Sequence, residues 1–363
     1  MRLRLEARSS PSRAMRYLSP LVAAALTVVA GFIVFSSMGR DPLAAFHAFF
    51  VQPVSSLNGF AELVLKASPL MLIATGLAIG YRANVWNIGA EGQLILGAIF
   101  GGGLALAFPG AESRWLLIPM VLAGAAGGLL WAAIPAFLRT RFNTNEILVS
   151  LMLVYVATLL LSYLVHGPWR DPQGFNFPQS RMFADAALYP ILLDITRLNA
   201  GFLVALGAVA CGWLFIEKSF LGYQMRVAGL ADAAARYAGF SAGRTVWIGM
   251  LAGGAAAGVA GVGEVAGPIG QLTSSISPGY GFAAIIVAFV GRLNPVGIVF
   301  ASLLMSLLYL GGESAQMQLR LPSAITGLFQ GMLLFFLLGA DVLVHYRVRL
   351  LPRAPAPRDE AAA

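Results

Sequence analysis

The feature that most constrains this chain is a series of long apolar runs. A helix needs about 17–25 apolar residues to cross the hydrocarbon core of a bilayer, where it must satisfy its own backbone hydrogen bonds. Ten runs separated by polar or Pro/Gly-rich breaks read as such spans: Leu18–Met38, Glu62–Gly80, Glu91–Phe108, Trp115–Leu138, Ile147–Val165, Ala200–Ile216, Thr245–Gly263, Phe282–Val290, Val296–Leu310 and Ala324–His345. The Phe282–Val290 run is short and is expected to extend back into the loop before it. Composition agrees. The 363 residues are 58% hydrophobic and 11% charged, whereas a soluble domain averages about 45–50% and about 25%. The expected fold is therefore an all-α integral membrane protein, a compact bundle of about ten transmembrane helices. The first run is too long for a cleavable signal peptide, and no small-residue cleavage site follows at Met38–Arg40.

Orientation follows from the basic residues, which accumulate on the cytoplasmic side. With the N-terminus inside, seventeen Lys and Arg fall in inner segments, among them Arg82, Arg139, Arg141, Arg226, Arg244 and Arg292. Six fall outside: Arg40, Arg114, Arg170, Arg181, Arg197 and Arg320. This asymmetry accounts for the net charge of +8 without a nucleic-acid partner; the partner it implies is membrane lipid. Residues 1–17 read as a cytoplasmic basic arm, 18–345 as the membrane domain, and 346–363 as a disordered cytoplasmic tail, both termini being inside. The single cysteine, Cys211, excludes an internal disulfide.

Two connections are long. His166–Asn199 carries Pro168, Trp169, Pro172, Gly174 and Pro178 and reads as an ordered, irregular cap on the outer side. Glu217–Arg244 is too polar to span. Its alanine-rich centre, Ala231–Ala238, lies between Gly229 and Gly239 and predicts a short helix on the cytoplasmic face. An amphipathic surface helix and a docking element for a cytoplasmic partner are both consistent with it. Small-xxx-small pairs recur at Gly76/Gly80, Gly97/Gly101, Gly124/Gly128, Gly254/Gly258 and Gly327/Gly331, a spacing that lets helices approach closely in lipid.

Polar residues in spans carry more information, because each costs free energy unless paired or hydrated. Asn84, Asn87, Glu91 and Gln93 lie at the start of the third span and Glu146 at the start of the fifth. Asn87 is placed to cap its helix, and Glu91 is stabilised there by the helix dipole. Alternatively, the segment is a broken helix beside a substrate pathway. Lys66 is expected to snorkel to the interface. Glu264, Gln271 and Thr273–Ser277 follow the seventh span and line an outer vestibule or form a solvated loop; Glu313 and Gln316–Gln318 read the same way. No catalytic or metal-binding set emerges: HExxH and paired intramembrane Asp motifs are absent, and so is the phosphate-binding GxxxxGK[ST].

The stretch Tyr81–Gly97, YRANVWNIGAEGQLILG, resembles the signature of ABC-importer permeases for nucleosides and simple sugars. These systems are served by basic-membrane-protein-type binding lipoproteins. Thr144–Ala157 (TNEILVSLMLVYVA), Gly229–Phe240 (GLADAAARYAGF), Gly279–Gly291 and Ser323–Gly339 are similar to further segments of that family. The resemblance covers the chain after about residue 60. It implies a membrane-spanning permease subunit rather than an enzyme, in the bacterial inner membrane. It also implies a partner ATPase that binds the ATP, a second, non-identical permease and a substrate-binding lipoprotein or periplasmic protein. Gly229–Phe240 would be the coupling helix, with Gly229, Asp232, Ala235, Arg236, Tyr237 and Gly239 at the ATPase. Asn84, Asn87, Glu91, Gln93 and Glu146 would flank the substrate pathway. Ala231-Asp232 replaces the family's frequent Asn-Pro, with Asp232 placed to cap the helix, and Val154 stands where an Asn is frequent. The alternatives are an ion-coupled secondary transporter of small polar solutes, which favours a mid-span acidic residue, and a membrane scaffold.

Overall fold

Helix α3 (Leu57–Arg82) is apolar all round, and almost every residue from Ala61 to Tyr81 is buried. In lipid such a helix can only lie at the centre of a bundle. The computed structural model describes residues 2–8 and 12–351. These fall into two compact units, one made of the chain ends and one spanning His47–Leu321.

In the larger unit α3 is followed by α4 (Ala90–Ala107), α5 (Leu117–Phe142), α6 (Glu146–His166) and α7 (Gly201–Lys218). Two short helices, α8 (Phe220–Leu230) and α9 (Asp232–Tyr237), lead into α10 (Ala242–Glu264), α11 (Tyr280–Val290) and α12 (Pro295–Leu319). Helix α10 is the hub, and glycine makes it so. A methyl group on Gly258 would lie 2.1 Å from the Gly124 carbonyl oxygen of α5, and one on Gly97 of α4 would lie 2.3 Å from Gly258 Cα. On the third side, Gly76 of α3 faces Ala256 and Gly253. Four of the five small-xxx-small pairs thus mark contacts. Gly327 and Gly331 face open space.

The other unit pairs α1 (Arg13–Ser37) and the short α2 (Pro42–Phe46) with α13 (Ala324–His345). Phe35 packs on Phe329 with ring centres 5.5 Å apart, and Phe46 meets it edge-on. Two strands, β1 (Arg2–Ala7) and β2 (Tyr346–Leu351), pair antiparallel with Glu6 opposite Arg347. Residues 346–351, expected in a disordered tail, are therefore a strand; residues 352–363 lie outside the described ones. The reason is the period-2 alternation of RLRLEA and YRVRLL, a strand pattern. Since the strands pair, the first and last spans start and finish on one side, which needs an even number of crossings.

Among the described residues, nine helices are long and apolar enough to cross a membrane. The chain is an all-α, multi-pass membrane protein apart from the strand pair. The remaining crossing is unusual. Helix α11 has 11 residues, about 16 Å long against a core of about 30 Å. The chain before it starts at the 167–199 loop, where Phe183 donates to the Gly270 carbonyl at 2.9 Å and Ser180 to the Leu272 carbonyl at 2.8 Å. It finishes at the far end of α3, where Arg82 Nε donates to the Leu293 carbonyl at 3.0 Å. The expected Phe282–Val290 span is thus half irregular backbone and half helix.

Gly258→Ala is expected to lower the unfolding free energy of the detergent-purified protein by about 1–3 kcal/mol through overpacking. Gly327→Ala, which meets nothing within 4 Å, leaves it unchanged or raises it. Equal responses in thermal unfolding would remove α10 from its central role.

Candidate functional site

The chain leaves α3 through Asn84, whose φ of 56° is left-handed, a conformation Asn tolerates better than most residues. Asn87 lies before the next helix. Contrary to the expected cap, the N-cap residue of α4 is Gly89, with no side-chain cap bond. Asn87 Oδ1 instead accepts from Gly89 N at 3.0 Å and Gln93 Nε2 at 3.1 Å, and its Nδ2 donates to Gln93 Oε1 at 2.8 Å. The Tyr81 hydroxyl donates to the Asn87 carbonyl at 2.9 Å. Both amides are buried and satisfied by each other, which explains how they exist at this depth.

Glu91 is 7% exposed. Its Oε2 accepts from Gly281 N in the first turn of α11 at 2.6 Å, and Ser277 is its other partner. Two helix N-termini thus meet one carboxylate, each favouring the negative charge. A side chain at position 281 is excluded, since its Cβ would lie 2.2 Å from Glu91 N. Glu146 is ion-paired to Arg139 and accepts from Trp86 N at 3.4 Å. Asn145 caps α6, accepting from Ile147 N at 2.9 Å. Ser150 Oγ takes Ile88 N at 3.3 Å. The five residues read as pathway candidates therefore gather around one junction. Asn87, Glu91, Gln93 and Glu146 are held in internal bonds. Asn84 accepts from Trp86 Nε1 at 2.9 Å and lines a recess of about 400 Å³ with Arg139, Asn143 and Asp232.

A second cavity, of about 340 Å³, lies near the other end of α3. Glu62, Lys66, Arg197, Glu264, Ser275, Ser277, Tyr280 and Glu313 contribute to its wall. Arg197 grips Glu62 with two bonds of 2.7 and 2.8 Å. These bonds hold the guanidinium above its already high pKa. Lys66 does not snorkel: it pairs with Glu313 of α12 at 2.7 Å and is 18% exposed. Glu264 and Ser277 fall on the vestibule side of the two readings open to them. Glu62, Arg197 and Tyr280 were not singled out in the sequence. The available signal was Glu62 and Lys66, four apart on a helix otherwise apolar and buried. Ser277 joins the two regions, since it lines this cavity and bonds Glu91.

At the Arg82 end, α8 is seated by Gly229, where a Cβ would lie 2.0 Å from the Arg82 carbonyl oxygen. Arg82 also pairs with Glu217 at 3.1 Å, and Arg226 of α8 does so at 3.2 Å. The expected short helix forms over Asp232–Tyr237. Asp232 does not cap it; the N-cap is Ala231, without a side-chain bond, and Asp232 pairs with Arg236. Ala235 is buried, Tyr237 is 97% exposed, and Gly239 turns the chain at φ 79°.

Residues 59–338 match the family described as branched-chain amino acid transport system, permease component. The chain belongs to this permease family. It is 35% identical to a glucose ABC transporter permease protein of Haloferax volcanii, over 95% of this chain and 93% of the relative. It is 30% identical to a guanosine ABC transporter permease protein of Bacillus subtilis, over 89% of this chain and 93% of that one. A nucleoside ABC transporter permease protein of Lactococcus lactis is 29% identical over 95% and 96%. No solved structure matches the chain. The protein is thus a transport subunit of an ABC system rather than an enzyme, which sets aside the ion-coupled and scaffold alternatives. As a permease component it works with ATPase and substrate-binding partners.

Removing the Glu91 acceptor strands the Gly281 N–H in a dry interior. Glu91→Ala is expected to destabilise the permease by about 1–3 kcal/mol. Glu91→Gln, which keeps an acceptor oxygen, costs less. Denaturant unfolding of the two purified variants measures the difference; identical losses would show that the Gly281 bond is not what Glu91 supplies.

Proposed function

We propose that this permease imports nucleosides, or else simple sugars, across a bacterial inner membrane. ATP is bound and hydrolysed by a separate ATPase, so the chain itself needs no cofactor. The observation that carries this reading is the polar cavity beside α3, at the opposite end of that helix from α8 and α9. A charged recess within apolar helices has a cost that only a polar cargo or structural pairing offsets. The substrate classes rest on the relatives, whose names specify glucose, guanosine and nucleosides.

In this reading the Arg82 end is cytoplasmic, in line with Arg82, Arg139, Arg141, Arg226 and Arg244 lying in that set of connections. Both termini are then cytoplasmic as well. The α8–α9 segment is the coupling helix, with Gly229 and Ala235 seating it and Asp232, Arg236, Tyr237 and Gly239 presented to the ATPase. Asn84, Asn87, Glu91, Gln93 and Glu146 form the frame of the pathway. The cavity end faces a binding lipoprotein or periplasmic protein, and a second, non-identical permease completes the core.

Uptake of radiolabelled nucleosides and glucose into proteoliposomes holding the assembled complex tests the reading. ATP-dependent uptake is expected; uptake by this subunit alone without ATP would overturn it. Because Tyr237 is almost fully exposed, Tyr237→Asp spares the fold. It is expected to weaken ATPase capture in a pull-down by about ten-fold or more, as loss of an interface aromatic does. Undiminished capture would remove α9 from the ATPase interface.

A further inference from the structure

Every cation in the wall of the cavity is committed. Arg197 holds Glu62 and Lys66 holds Glu313. Two polar groups there are not. Glu264 is 7% exposed and Tyr280 is 3% exposed, and both line the cavity. Neither the Glu264 carboxyl nor the Tyr280 hydroxyl makes a hydrogen bond or ion pair among the described residues. Buried polar groups are otherwise almost always satisfied, so two facing one cavity call for a partner.

Their placement is also costly in itself. Glu264 ends α10 just before a π-helical turn, Val265–Ile269. A carboxyl near a helix C-terminus meets the negative end of the dipole, and π turns inside helices cluster at functional sites. Tyr280 begins α11, where its backbone N–H is taken by Ser277 Oγ at 2.9 Å. That bond fixes the start of the helix and leaves the phenol to the cavity. The ring stands edge-on to Tyr309 at 5.5 Å, which holds its plane.

We propose that the Glu264 carboxyl and the Tyr280 hydroxyl recognise the hydroxyl groups of a neutral polyol, the ribose of a nucleoside or a simple sugar, in this cavity. The proposal rests on the importer reading and adds a site and a selection rule to it. A carboxyl accepts from sugar hydroxyls, and a phenol both donates and accepts. The volume of about 340 Å³ falls at the lower end of the small-molecule range of about 300–1,000 Å³. A phosphorylated ligand finds no free cation here and meets three carboxyl groups, so the site takes nucleosides and excludes nucleotides.

The test compares three probes at concentrations well below half-saturation in proteoliposomes of the assembled transporter: adenosine, 2′,3′-dideoxyadenosine and glucose. Wild-type uptake of adenosine or of glucose identifies the source of the hydroxyls. Glu264→Leu is expected to lower uptake of that hydroxylated probe about ten-fold, the scale of one lost strong hydrogen bond. The dideoxy analogue should change less than about two-fold, since it lacks that bond to lose. Tyr280→Phe keeps the ring and should act in the same direction. Equal losses on hydroxylated and dideoxy probes, or no loss in either variant, would overturn the site while leaving the importer reading intact. A wild-type complex that carries neither adenosine nor glucose would overturn both.

Discussion

In lipid an apolar helix face gains nothing by leaving its surroundings, so helices associate through close packing and polar bonds. Gly258 supplies the close packing. It lies where backbone meets backbone, against Gly124 and Gly128 on one side and Gly97 on the other. With α3 seated on the same helix through Gly76, three helices are fixed around α10. The irregular half-crossing before α11 depends on this frame. Exposed backbone at membrane depth survives only where protein or a water-filled cavity covers it.

Polar bonds then fix what packing alone leaves free. The Asn87–Gln93 pair locks the entry to α4, and Glu91 ties that entry to the first turn of α11. Because the Gly281 Cβ position is occupied by Glu91 backbone, the two helix starts are in direct contact. Each of these groups would be costly unpaired. Together they are satisfied, so the network specifies geometry at little net cost.

The long apolar spans were legible because length and hydropathy are summed over many residues. The alanine-rich helix was legible too, since Gly229 and Gly239 bracket it. Partner choice was not. Asn87 precedes a helix in a capping position, but Gln93, one turn on, offers a better match in a dry environment. Lys66 reads as a snorkelling residue until Glu313, 247 positions away, is brought beside it. The same holds for Glu62 and Arg197. Long-range pairs leave no local spacing to read. The strand pair was missed for a different reason: six-residue alternation at each end is short beside the hydropathy of the spans. The candidate site was half legible. The Asn84–Gln93 junction stands out as a motif, whereas the cavity is assembled from five separated segments.

Helix α3 runs from the cavity to the α8 contact within its unit. It spans 26 residues, about 39 Å at the rise of an α-helix. Glu62 and Lys66 face the cavity at one end, and Arg82 at the other holds Glu217 and the Leu293 carbonyl. Arg226 of α8 shares Glu217, so a displacement of α8 acts on α3 through ion pairs as well as through Gly229. Pro69 lies between the two ends. It has no N–H for the Leu65 carbonyl, and Leu65 lines the cavity. A helix bends most readily where a ladder bond is missing. A force applied at the Arg82 end would therefore reach a weak point in the cavity wall, beside Glu62 and Lys66.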